Sequence, residues 1–205
     1  PLSALEKNSI EECIIVTGYM ADSIQNYFED SRNYRIKIRF VHNPNYECEN
    51  GYSLYSAKKF LENDEWFLVL MADHLIDSRI VRKALEEIEN APLLCTDASP
   101  KYFSQLKDAT RVLVNRDGFI EDIGKNIAEW NALDTGVFIL NGEIFRVIEE
   151  IKDKCSLTLA RCVKSMIQSG VPLWSCDVSG FFWLDVDVPK DIDLADKILR
   201  EIQIE

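Results

Sequence analysis

Two apolar runs of this chain each end in acid. Phe67-Leu68-Val69-Leu70-Met71-Ala72 leads into Asp73-His74, and Phe181-Phe182-Trp183-Leu184 leads into Asp185-Val186-Asp187. A buried strand that carries a carboxylate at its C-terminal end delivers it where open α/β sheets take their ligands. Two such strands can share a hard divalent cation, and oxygen ligands of this kind suit Mg²⁺. That combination points to phosphate chemistry. Asp73 is the stronger candidate, because it emerges directly from apolar residues. The competing reading makes it the cap of the next helix, a role that Asp77 or Ser78 fills equally well. Asp185 and Asp187 share a face if the strand continues through Val186. Asp187 can instead cap the turn before Pro189, with Asp191 opening the last helix, so Asp185 is the better metal ligand and Asp187 a further candidate.

Other polar residues stand where elements begin or end. In Asn50-Gly51-Tyr52-Ser53 a loop enters a helix, and the missing side chain of Gly51 would let a base or phosphate approach the backbone; Asn-Gly is also ordinary turn chemistry. Lys125, after Ile123-Gly124, is a candidate partner for a substrate phosphate. Asp134-Thr135-Gly136 opens an apolar strand and offers a carboxylate and a hydroxyl to a polyol. No nucleophile with its base is recognisable: His42 and His74 have no Ser or Cys partner by spacing, and His74 reads as a support for the adjacent aspartate.

The elements that must position these groups alternate. Helix over Ser3–Ser9, strand Cys13–Thr17, helix from Met20 to Phe28, strand Arg35–Val41, loop His42–Gly51, helix Ser53–Leu61, strand Trp66–Met71 and helix Ser78–Glu89 form a β-α-β pattern that implies a mostly parallel sheet. The second half reads as strands Pro92–Thr96 and Thr110–Asn115, a turn at Asn115–Gly118, strand Phe119–Ile123 and strand Thr135–Leu140. Helices near Ile144–Ile151 and Leu157–Gln168, a last strand pair of Val171–Asp177 with Phe181–Val186, and a closing helix Ile192–Ile202 follow. A single domain is expected from 205 residues that are 47% hydrophobic. The net charge of −12, from 23 Lys+Arg against 35 Asp+Glu, argues against a nucleic-acid or anionic-membrane partner. No apolar run approaches the roughly 18 residues of a membrane span, and a cytoplasmic location is expected. The six cysteines (Cys13, Cys48, Cys95, Cys155, Cys162 and Cys176) are scattered and are expected to be reduced thiols, without a zinc cage. A homodimer is compatible with the sequence.

Taken in order, these segments resemble the nucleotidyltransferases that join a sugar phosphate or alcohol phosphate to a nucleotide, and within them the CTP:inositol-1-phosphate cytidylyltransferases. The likeness rests on Glu12-Cys13-Ile14-Ile15-Val16, Asn50-Gly51-Tyr52-Ser53-Leu54, Met71-Ala72-Asp73-His74, Ile123-Gly124-Lys125, Asp134-Thr135-Gly136-Val137-Phe138 and Trp183-Leu184-Asp185-Val186-Asp187. It implies a Rossmann-like three-layer α/β fold with a mixed central sheet, and CTP and a phosphorylated polyol as partners. It also implies Mg²⁺ on Asp73 and Asp185, Lys125 on the acceptor phosphate, and Asn50, Gly51 and Ser53 beside the nucleotide. Asp134, Thr135 and Gly136 would line the acceptor side. Other acceptors (phosphocholine, a phosphonate or a hexose 1-phosphate) and a non-catalytic nucleotide-binding relative remain as alternatives, as does an Asp-x-Asp glycosyltransferase built on Asp185 and Asp187. Ala72 stands where the motif usually has Gly. The family begins with a strand and a Gly-rich loop carrying Arg and Lys, for which no counterpart precedes Cys13. The expectation is that this strand and phosphate loop belong to the protein but lie outside this sequence.

Overall fold

The computed structural model describes residues 1–31, 34–63, 65–101, 109–152 and 156–202. In chain order the elements are α1 (Leu2–Lys7), β1 (Glu12–Thr17), α2 (Ala21–Ser31), β2 (Lys37–His42), α3 (Gly51–Ser56), α4 (Lys58–Leu61), β3 (Phe67–Leu70), β4 (His74–Ile76) and α5 (Ser78–Glu86). There follow β5 (Leu93–Asp97), β6 (Arg111–Val114), β7 (Ile120–Gly124), β8 (Ala132–Leu140), α6 (Glu143–Ile151), α7 (Leu159–Gln168), β9 (Trp174–Asp177), β10 (Trp183–Asp185) and α8 (Pro189–Ile202). Asp77 caps α5, its Oδ1 accepting from the Arg79 amide at 2.9 Å. This leaves Asp73 free of the capping role.

The central sheet has six strands, β7-β6-β8-β5-β9 with β3 also on β8. It is mixed: β5 and β9 run parallel, whereas β8 is antiparallel to β3, β5 and β6. Strand alternation divides the core into layers. Phe138 and Leu140 of β8 join Leu94 in a cluster with Phe145 and Ile148 of α6 and Leu159 and Val163 of α7. Their neighbours Val137 and Ile139 turn the other way, packing with Leu93, Cys95 and Trp183 against Ile80 and Ala84 of α5. Helices on both faces of one sheet make the three-layer α/β architecture with a mixed sheet that the resemblance implies; of the parallel pairing the alternation implies, the described strands show β1–β2 and β5–β9.

A parallel pair, β1 with β2, stands apart from this sheet. Among the described residues, β1 and β3 each have one edge without a strand partner. Side chains from both sides, Cys13 and Ile38 with Leu68 and Leu70, meet around Leu5 of α1 and Val81 of α5. None of the described helices is long and apolar enough to cross a membrane.

Three expectations are corrected. Val171–Asp177 and Phe181–Val186 do not form a strand pair: β9 is engaged along β5, and β10 pairs antiparallel with β4, a strand too short to show a period in the sequence. The helix expected over Ser53–Leu61 begins at Gly51 and is broken at Ala57 into α3 and α4. Cys48 is disulfide-bonded, although no sequence spacing pairs it, because a disulfide needs proximity in space and not along the chain. Cys13, Cys95, Cys162 and Cys176 are free thiols, and Cys155 lies outside the described residues.

Trp183 ties β10 to the main sheet. It is 2% exposed, and its Nε1 donates to Oδ2 of the buried Asp97 at 2.8 Å. Replacing Trp183→Phe leaves that carboxylate oxygen buried without its donor, and a loss of about 2 kcal/mol or more is expected in the denaturant midpoint.

Candidate active site

The site lies where β8 forks. One edge of this nine-residue strand is followed by β5; the other pairs first with β6, at Ala132 and Leu133, and then with β3, from Val137 to Leu140. Between the two partners β8 bulges, so its register against β5 slips between Leu94 and Thr96. Bulges of this kind re-aim backbone groups and recur beside active sites. Gly136 takes φ +77 there, a left-handed conformation suited to glycine. Its carbonyl accepts from the Met71 amide at 3.2 Å, and its amide donates to Asp134 Oδ1 at 2.7 Å.

β3 leaves the sheet at Leu70, turns through Asp73 and returns as β4, whose His74 is the register partner of Asp185 on β10. The Val186 amide also donates to the Asp73 carbonyl at 3.1 Å. This pairing brings together two aspartates far apart in sequence. One ligand-type atom each from Asp73, His74 and Asp185 lies within 4.8 Å of the others. Asp185 Oδ1 is buried and has no hydrogen-bond partner. Burial raises the Asp185 carboxyl above the usual aspartate range; His74 opposes this, while Asp73, Asp187 and Asp191 add to it. Carboxylates this close, one with an orphaned buried oxygen, fit a divalent cation and do not fit each other without one.

Asp187 lies outside this group. β10 ends at Asp185, one backbone hydrogen bond short of Asp187. The Asp187 and Val188 amides instead donate to Asp191 Oδ2 at 3.0 and 2.9 Å, so Asp191 caps the entry to α8. The Asp187 charge still lies close enough to Asp185 to add to its upward shift, but the cluster of donor atoms is made by Asp73, His74 and Asp185.

The remaining candidates divide. Asn50 borders the cluster: its Nδ2 approaches Met71 Sδ at 4.0 Å, while its Oδ1 accepts from the Leu159 amide at 2.8 Å. Gly51 is buried, and a Cβ there would stand 2.4 Å from the Leu157 carbonyl oxygen, so close packing explains why it is glycine. Ser53 is engaged with Asn43. Lys125 is exposed just after β7. It stands in the turn that follows Gly124, the register partner of Arg111, which itself pairs with Leu133 next to Asp134. Thr135 corrects its expectation. Its hydroxyl is fully buried and donates to the Cys95 carbonyl at 2.9 Å, because the bulge turns it into the sheet. What Thr135 offers the site is its carbonyl, 2.8 Å from His74 Nδ1. Gly136 likewise makes room: a Cβ would stand 2.4 Å from His74 Nδ1. The sequence reading missed Trp183 and Asp97 as supports of the site. The apolar-flanked tryptophan two residues before Asp185 was the signal available.

The nucleotidyl transferase family pattern matches residues 1–200, and the chain belongs to that family. It is 32% identical over 204 residues to a protein of Aquifex aeolicus named bifunctional IPC transferase and DIPP synthase, covering 99% of this chain and 44% of that protein. A protein of the same name from Archaeoglobus fulgidus is 32% identical over 191 residues, covering 93% of this chain and 36% of the relative. The chain thus spans less than half the length of these relatives. Among solved structures, the inositol-1-phosphate CTP transferase from T. maritima superposes with a TM-score of 0.81 at 24% identity, over 92% of this chain and 75% of that one. A UDP-glucose pyrophosphorylase bound to UDP-glucose gives 0.77 at 14% identity, over 98% and 85%. The fold is that of the nucleotidyltransferases.

Two expected outcomes follow from the fork. Gly136→Ala forces a side chain into a left-handed backbone and against the His74 ring, so a loss of about 1–3 kcal/mol in chemical denaturation is expected. Burial pushes the Asp134 carboxyl up to about 6, against the pull of the Gly136 amide and His74. Its unfolded value is about 3.9, so the folded chain holds the extra proton between roughly pH 4 and 6. That contribution is complete below this window and disappears as pH rises through about 6. Asp134→Asn should therefore make the fall in stability from pH 4 to 6.5 shallower, measured by denaturant midpoints.

Proposed function

We propose that this chain forms the catalytic domain of a Mg²⁺-dependent cytidylyltransferase that transfers CMP from CTP to inositol 1-phosphate, giving CDP-inositol and pyrophosphate. The observation that carries this reading is the convergence of Asp73 and Asp185, with an unpartnered buried oxygen on Asp185, in a member of the nucleotidyl transferase family. The choice of CTP and inositol 1-phosphate is supported by the names of the A. aeolicus and A. fulgidus relatives and of the T. maritima structure.

The acceptor's phosphate monoester carries about −1.5 to −2 charge at pH 7 and is itself the nucleophile. One of its oxygens bonds to the α-phosphorus of CTP, and the bond from that phosphorus to the bridging oxygen of the β-phosphate breaks. Pyrophosphate leaves with the electron pair. No general base is needed. A divalent cation held by Asp73 and Asp185 supplies neutralisation of charge on the reacting phosphate. Lys125 pairs with the acceptor phosphate, and Asp134 accepts from acceptor hydroxyls. Asn50 and Gly51 border the nucleotide. Triphosphate and phosphate together exceed what one lysine neutralises, so the reading also requires further cationic groups at the leaving pyrophosphate. A cytoplasmic location, where CTP is available, goes with it.

The test is pyrophosphate release from CTP, with inositol 1-phosphate set against phosphocholine and glucose 1-phosphate as acceptors in the complete protein. Asp73→Asn and Asp185→Asn are each expected to lower Mg²⁺-dependent release by about 100-fold or more while the circular dichroism spectrum is kept. Turnover at the wild-type rate in either variant removes the metal assignment; preference for another acceptor removes the inositol assignment alone.

A further inference from the structure

We propose that His74 is itself a ligand of the divalent cation, binding through Nε2 beside Asp73 and Asp185 and tilting the site toward Mn²⁺, Co²⁺ or Zn²⁺ relative to Mg²⁺. This rests on the reading of the two aspartates as a metal site and adds a nitrogen donor to it. Three observations carry it.

The first is the tautomer. His74 Nδ1 lies 2.8 Å from the Thr135 carbonyl oxygen, which can only accept. Nδ1 therefore carries a hydrogen, which leaves Nε2 as the ring nitrogen available to an ion. Metal-bound histidines are held in this way, the second nitrogen donating to a carbonyl or carboxylate.

The second is spacing. Nε2 stands 3.9 Å from Asp73 Oδ1 and 3.7 Å from Asp185 Oδ1. Both separations exceed a hydrogen bond, so the imidazole neither clamps the carboxylates nor, if protonated, donates to them. Donors about 2.1 Å from one ion lie ~3.0 Å apart at right angles and ~4.2 Å apart when opposite; both histidine distances fall between these limits, and the carboxylate donors, within 4.8 Å, need to close only slightly on an ion.

The third is rigidity. The His74 side chain is only 12% exposed. Its ring stacks on Trp183 with centroids 6.1 Å apart and planes at 28°, and Gly136 leaves it the space that any side chain would take. A ring fixed on three sides, with its free nitrogen facing an orphaned carboxylate oxygen, is organised for an ion between them. Imidazole favours the later divalent metals over Mg²⁺, which prefers oxygen.

Mn²⁺ added to the wild-type chain and followed by electron paramagnetic resonance tests this without relying on turnover. Spin-echo modulation from one directly bound ¹⁴N is expected, kept in His42→Gln and lost in His74→Gln. Calorimetry should show Co²⁺ affinity of His74→Gln reduced about 10-fold or more, and Mg²⁺ affinity reduced less. If wild-type chain binds Mn²⁺ with no nitrogen modulation, His74 is not a ligand and the aspartate site stands. If Mn²⁺ binding is absent, or is indifferent to Asp73→Asn and Asp185→Asn, the metal site and the histidine ligand are overturned together.

Discussion

Asp73 and Asp185 are held close by a backbone ladder, and their mutual repulsion is the constraint around which the site is organised. Two unit charges 4.8 Å apart, the outer limit of the donor spacing, repel by about 1 kcal/mol in water and about 3 kcal/mol at the effective dielectric of a protein surface. The short β4–β10 pairing must absorb that energy in the absence of a cation. It can do so because Leu184 and Trp183 of β10 are buried, and the hydrophobic gain from a fully buried large side chain is of similar size. With a cation the repulsion becomes attraction to a common centre. The geometry is therefore built in advance, and on the proposed reading a bound cation would complete it by charge.

The sheet places this centre at the fork of β8 because two different strands share one of its edges. β6 ends its pairing at Leu133 and β3 begins at Val137, so the intervening backbone is released from the ladder on that side. Its polar groups must find other partners. The Thr135 carbonyl meets His74, the Gly136 carbonyl meets the Met71 amide, and the Gly136 amide meets Asp134. Asp134, Thr135 and Gly136 are thus linked to His74 and Met71 by hydrogen bonds within one short bulge.

Much of this was legible in the residues. Apolar runs ending in acid identified Asp73 and Asp185, since burial followed by charge has few structural explanations once Asp77 is available as the cap. The helices and most strands showed their periods. Other features could not be read because they depend on pairing. His74-Leu75-Ile76 is too short for an alternation, and nearness in sequence favoured joining β9 to β10 when each has a more distant partner. Thr135 looked like a substrate contact because a hydroxyl beside a carboxylate reads as polar equipment; only the register slip against β5 sends it inward to Cys95. Gly51 shows the converse, a glycine that resembles a ligand-approach position and is required by the Leu157 carbonyl.

One strand carries both a carboxylate of the cluster and the clamp that orients its neighbour. Trp183 and Asp185 are two residues apart on β10 and so share a face. Trp183 stacks on His74, and Asp185 faces it in register. The tryptophan is in turn held by Asp97 at the end of β5, a buried acid that also accepts from the Ser99 amide. Any displacement of Asp97 therefore reaches the imidazole and the carboxylate through the same rigid side chain. Core and site are in this way mechanically continuous: the contacts that stabilise β10 against the sheet are the ones that fix the spacing of the clustered side chains.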